Sequence, residues 1–112
     1  APIGVIRTLP ETRRLLEECL REIFAVARAR QVALSDGSVE KSMAFLDSLA
    51  PSGTTSLQRD IADGKPSELE AWNGAAVRLG REVGVATPVH EFIYHSLLPL
   101  ELRARGKVQF PA

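Results

Sequence analysis

The chain has 112 residues, 45% of them hydrophobic and 5% aromatic, with 14 basic and 14 acidic side chains. That length supports one core and not two, and the balanced charge argues against binding to nucleic acid or to a membrane surface through surplus Lys and Arg. The single cysteine, Cys19, rules out an internal disulfide framework and the multi-cysteine zinc sites and fits a reducing cytosol; no apolar run nears the ~20 residues of a membrane span.

The opening Ala1-Pro2-Ile3-Gly4-Val5-Ile6 has Pro and Gly two residues apart and reads as an extended connector. No basic-then-apolar signal peptide opens it, and it begins without an initiator Met, which hints at a removed upstream segment. Thr8 and Glu11 form a capping box for the first clear helix, with Pro10 in its first turn, where a missing N–H costs nothing. Leu15, Leu16, Cys19, Leu20, Ile23, Phe24 and Ala27 make its apolar stripe. Arg13, Arg14, Glu17, Glu18, Arg21 and Glu22 cover the solvated side, with Glu17 and Glu18 in reach of Arg21. This helix fades near Arg30, where basic residues suit the negative end of the dipole.

Ser35-Asp36-Gly37-Ser38 caps a second helix over 39–49, whose apolar side carries Val39, Met43, Leu46 and Leu49 beside Phe45. A loop over 50–55 leads to a short third helix over 56–63, stopped by Gly64 as a left-handed C-cap. After the Lys65-Pro66 corner, Ser67 caps the fourth helix with Glu70 as a second capping box. Leu69, Trp72, Ala76, Leu79 and Val83 form its stripe, and Gly84 ends it. Thr87-Pro88 starts the fifth helix in the same way, and Pro99 kinks or ends it before the charged segment 102–106. The pattern predicts an all-α fold, a compact bundle of about five helices with short connections and no internal repeat.

Few residues carry visible chemistry. His90 and His95 lie five apart on a helix, about 140° round its axis, so they read as ordinary surface or boundary histidines and not as a metal-binding pair. Cys19 reads as a buried, inert thiol. Trp72 reads as core or as the lining of a contact between domains. The densest polar neighbourhood joins segment 54–60 to segment 64–70. Its simplest reading is punctuation, a C-cap glycine, a corner proline and capping side chains. A second reading notes that Ser56 and Glu68 each stand near a helix start, where free N–H groups favour an anion. They lie about 12 Å apart along a straight third helix. They flank one small acid only if the fourth helix folds back toward the loop before Ser56.

Those residues carry a resemblance. Ser56-Leu57-Gln58-Arg59-Asp60-Ile61, Gly64-Lys65-Pro66-Ser67-Glu68-Leu69, Asn73-Gly74 and Val77-Arg78-Leu79-Gly80-Arg81-Glu82-Val83-Gly84-Val85-Ala86-Thr87-Pro88-Val89 resemble the C-terminal domain of the ketopantoate reductase (2-dehydropantoate 2-reductase) family. The opening Pro2-Ile3-Gly4-Val5, Pro10-Glu11 and the helix behind them resemble it too, so the likeness covers nearly all of residues 1–112. The resemblance implies an NADPH-dependent reduction of 2-dehydropantoate to pantoate, a step toward pantothenate, in a cytoplasmic enzyme. It implies a Rossmann domain that holds NADPH and an all-α domain that closes over the 2-keto acid. It also implies substrate-binding roles for Ser56 and Glu68, with Glu68 helping to set the polar network around a catalytic lysine.

The departures shape the remaining expectations. The family's lysine lies on a helix before the matching segment, and Lys41 and Lys65 stand in other motif contexts, so no catalytic residue is expected here. No G-x-G-x-x-G occurs, so the Rossmann domain and its cofactor site are expected outside this chain. Ile3 occupies a position where some members place a polar substrate contact. The resemblance therefore implies a domain that is inactive alone. A homodimer, or a stand-alone helical binding module reusing this domain, is the other expectation.

Overall fold

The computed structural model describes residues 1–112 and contains helices and loops but no strand. Six α-helices run in the order α1 (Ile3–Thr8), α2 (Pro10–Ala29), α3 (Ser38–Ser48), α4 (Ser56–Ala62), α5 (Ala75–Glu82) and α6 (Pro88–Ala104), and a π-helical turn over Glu70–Gly74 leads directly into α5. The all-α expectation stands, with one helix more than the five read from the pattern. None of the helices is long and apolar enough to cross a membrane.

The additional helix corrects the reading of the opening as an extended connector. In α1 the first-turn amides of Ile3 and Gly4 donate to the carbonyls of Gly53 and Pro51, each at 2.9 Å. The loop before α4 thus satisfies groups that an isolated helix start leaves open. Gly4 is required by this approach, because a Cβ there would lie 2.7 Å from the Pro51 Cβ. Since α1 extends to Thr8, the Thr8 hydroxyl donates back to the Gly4 carbonyl. The expected Thr8–Glu11 capping box does not form; Leu9 is the N-cap of α2, and Pro10 takes its first turn as expected.

Around α2 pack α1, α3, α5 and α6, in a slab with extents of 49 × 35 × 20 Å. The short dimension is about two helix diameters. Such a layer leaves most side chains one outer face, and the apolar core is small: Val26, Val39, Met43, Leu69, Ala76 and Val77. On α2 the buried residues are Val26 and Glu22, while Leu15 and Ile23 of the expected stripe stay exposed. Trp72 is 62% exposed, which corrects its reading as a core residue.

Helix ends follow the predicted punctuation where the chain ends them itself. Gly64 and Gly84 take φ of +68° and +70° and terminate α4 and α5. Ahead of α3 the Ser35 carbonyl accepts from the Ser38 N–H and hydroxyl. The capping box of α4 is formed by Thr55 and Gln58, ahead of Ser56. Pro99 does not end α6, which runs through it to Ala104, correcting the expectation of a stop there. Both ends of α6 are tied to other segments, by Glu22 at its start and through Glu101 near its finish. That anchoring offsets the one backbone bond that proline removes.

Candidate functional site

Ser56 is the first residue of α4 and is exposed. Glu68 follows the Lys65-Pro66 corner and is exposed as well. Its carbonyl accepts from the Trp72 N–H at 3.0 Å, while its carboxylate takes no partner within the chain. Ser56 opens α4 and Glu68 lies past its other end, and neither lines the two hollows described next. The largest hollow, about 540 Å³, lies between α1 and the loop at Pro51 and Ser52. Another, about 370 Å³, is lined by Glu70, Gly74, Arg78, Arg81, Tyr94 and His95.

The backbone beside Glu68 is held unusually firmly. Glu101 on α6, only 3% exposed, accepts from the Ser67 N–H at 3.0 and 3.1 Å and from the Ser67 hydroxyl at 2.6 Å. Arg105 donates to Glu101 at 2.8 Å and to the Ser67 carbonyl at 2.9 Å. Burial pushes the Glu101 carboxyl up, but bonds from the Ser67 hydroxyl, the Ser67 N–H and Arg105 outweigh it and leave the pKa below the ordinary value. Ser67 also accepts from the Leu69 N–H at 3.2 Å and so caps the helix. The second half of the expected capping box fails, because Glu101 occupies the Ser67 N–H that Glu70 would need. Glu70 instead accepts from the Tyr94 hydroxyl and from Arg78 at 3.4 Å. Gly74 makes room for that carboxylate, since a Cβ there would lie 2.9 Å from its Cδ. Bonding to Glu70 pushes the Tyr94 phenol upward.

The remaining candidates resolve into structural roles. His90 is buried, which corrects its reading as a surface or boundary residue. Its Nδ1 lies 2.8 Å from Glu22, and Glu22 also accepts the backbone N–H groups of Val89 at 2.6 Å and His90 at 3.0 Å. Glu22 is therefore the N-terminal cap of α6, contributed from another helix, and not part of a solvated face; Thr87 makes no side-chain cap. His95 is exposed, and its ring stacks at a tilt on Tyr94 with centroids 5.5 Å apart. Burial first, then Glu22 and Glu18, push the Cys19 thiol up to about 11, so it is a protonated thiol at neutral pH. Glu17 and Arg21 pair at 2.8 Å as expected.

Glu22, Tyr94 and Glu101 carry no motif that marks them in the sequence. Only the four-residue spacing of Glu101 and Arg105 is a visible signal. A dinucleotide cradle needs a strand, a glycine-rich turn and a helix start. The helical elements of this chain do not fit one.

Residues 1–101 match the family described as the ketopantoate reductase PanE/ApbA C terminal. Among similar sequences is the 2-dehydropantoate 2-reductase of Pyrobaculum aerophilum, 34% identical over 95 residues, covering 85% of this chain and 34% of that protein. The 2-dehydropantoate 2-reductase of Aquifex aeolicus is 34% identical over 103 residues, covering 88% and 33%. Among solved structures, a dimeric ketopantoate reductase from Staphylococcus aureus superposes with a TM-score of 0.84 at 27% identity, over 92% of this chain and 36% of that one. The 2-dehydropantoate 2-reductase from Methylococcus capsulatus gives 0.77 at 36% identity, over 88% and 33%. The chain thus spans about a third of the length of the relatives it matches.

Proposed function

The chain belongs to the ketopantoate reductase C-terminal family, and from that premise we propose that it is the substrate-closing domain of an NADPH-dependent 2-dehydropantoate 2-reductase. The observation that carries this reading is the family match over residues 1–101. In it, a Rossmann domain outside these residues holds NADPH and closes on this domain, with the 2-keto acid between them. Ser56 hydrogen-bonds the keto acid and Glu68 contacts it from the start of the next helix. Neither side chain supplies hydride, and an ordinary glutamate is ionised at neutral pH and a poor proton donor. The domain therefore binds and orients but does not turn over substrate alone.

The surface supports a domain that packs against another body. Its accessible area is 7353 Å², against about 6,100 Å² for a self-contained monomer of this mass. The excess, roughly 1,300 Å², is the size of an interface between domains. The same excess favours a second reading, in which two copies pair; light scattering of the isolated chain across a concentration range tests it, and a monomer throughout argues against it.

The main test compares NADPH oxidation by the intact protein with that by residues 1–112, using 2-dehydropantoate. Turnover by the intact protein alone is expected. Turnover by the isolated domain, or none by the intact protein, overturns the proposal. In the intact protein Glu68→Ala is expected to lower kcat/KM about 10- to 100-fold, as loss of a hydrogen bond to a charged group does, and Ser56→Ala about 3- to 10-fold.

A further inference from the structure

We infer that α6 positions Glu68: Glu101 and Tyr94, seven residues apart on that helix, hold Ser67, directly before it, and Glu70, two residues after it, and set where its carboxylate stands. The inference rests on the reading of Glu68 as a substrate contact and adds the parts that aim it. Seven residues are about two helical turns, so Tyr94 and Glu101 lie on nearly the same face of α6, roughly 10 Å apart.

The grip before Glu68 leaves no polar group of Ser67 free. Its N–H and hydroxyl donate to Glu101, and its carbonyl accepts from Arg105. The grip after Glu68 is the Glu70 carboxylate, held by the Tyr94 hydroxyl and by Arg78. Between the two lies a segment whose free ionisable side chain is Glu68, exposed and without a partner in the chain. With Ser67 and the Glu70 side chain tied to one face of one helix, the backbone at Glu68 has little freedom. The π-turn that starts at Glu70 belongs to the same arrangement, because it brings Gly74 beneath the Glu70 carboxylate.

A serine alone caps a helix adequately. Burying the Glu101 carboxylate is expensive unless every bond is made, and here each oxygen is engaged. The arrangement therefore goes beyond capping and locks the cap to α6. Tyr94, Glu101 and Arg105 are positioning residues in this account: they act through Glu68 and touch no substrate. A contact displaced by about 1 Å loses on the order of tenfold or more.

Steady-state kinetics of the intact protein, with NADPH and 2-dehydropantoate, test this. The variants are Tyr94→Phe, Arg105→Met and Glu101→Gln, each made alone and with Glu68→Ala, with thermal melts to show which are folded. A folded variant with displaced Glu68 is expected to raise KM about five- to tenfold, with kcat within about twofold of the parent. Mere loss of folded protein lowers kcat and leaves KM alone. On the Glu68→Ala background the KM effect is expected to vanish, because there is no carboxylate left to aim. Unchanged KM in Tyr94→Phe and Arg105→Met, whose side chains are not deeply buried, overturns the inference even if Glu101→Gln fails to fold. An effect of equal size on the Glu68→Ala background overturns it too. If Glu68→Ala alone leaves KM and kcat unchanged, the substrate reading itself falls; if it impairs the enzyme while the α6 variants do not, only the positioning role falls.

Discussion

Glu22 departs furthest from what its surroundings in the sequence imply. It sits among charged residues on what reads as the outer face of α2, yet it is buried and caps α6 through the N–H groups of Val89 and His90 while meeting the His90 ring. Glu22→Ala is expected to destabilise the domain by about 2–4 kcal/mol, because it orphans buried donors and removes a helix cap; Glu22→Gln, which keeps an acceptor, should cost less. Urea unfolding measures both, and a loss below half a kcal/mol for Glu22→Ala would show that the donors find other partners. Cys19, by contrast, keeps the inert character its place in an apolar stripe implies, although it is half-buried and not fully buried as expected. With its pKa raised to about 11, little thiolate exists at pH 8. Alkylation of the native domain is expected to be slow and to accelerate on unfolding, and rapid native labelling by a thiol reagent would contradict that. Ser56 and Glu68 came from motif resemblance, and nothing in their local spacing implied the α6 contacts beside Glu68.

Helices that end by their own residues were legible, and those completed from elsewhere were not. Gly64 and Gly84 mark the ends of α4 and α5 because a left-handed C-cap needs only the local chain. The short α1 was invisible because the carbonyls that satisfy its first amides belong to Pro51 and Gly53, far along the sequence. Pro99 is the reverse case, a strong local stop signal overridden by anchors at both ends of α6. Because Pro99 is exposed, Pro99→Ala removes no core contact and restores a donor to the His95 carbonyl. It is expected to stabilise the domain by about 1–3 kcal/mol, read from the urea midpoint; no gain would mean that α6 is already relaxed around the proline. Gly80→Ala should act oppositely, costing about 1–3 kcal/mol as overpacking does, because its Cβ would lie 2.7 Å from the Val85 carbonyl oxygen and 2.9 Å from Thr87 Cγ2.

At the scale of the whole molecule, acid stability should report the link between α6 and the segment that carries Glu68. The Glu101 pKa is lower in the folded state than its ordinary value. Its stabilisation is therefore fully present above the unfolded carboxylate value, about 4.3, and is lost as pH falls through the lower folded value. Urea midpoints measured from pH 7 downward should decline below about pH 4.3, and Glu101→Gln should flatten that decline while lowering the plateau. An unchanged slope would place the acid sensitivity elsewhere. The thin slab and its small core also explain why apolar periodicity on α2 overstated burial: a stripe marks a face able to be covered, and Leu15 and Ile23 on it stay exposed. The sequence by itself determined the helical class, most boundaries and the family, because periodicity, glycine stops and ordered motifs are local properties of the chain. Only the tertiary structure decided which charges are buried, that α1 exists, that α6 passes Pro99 and that Ser67 and Glu70 are held from α6. Those features depend on bonds between distant segments, which no local pattern specifies.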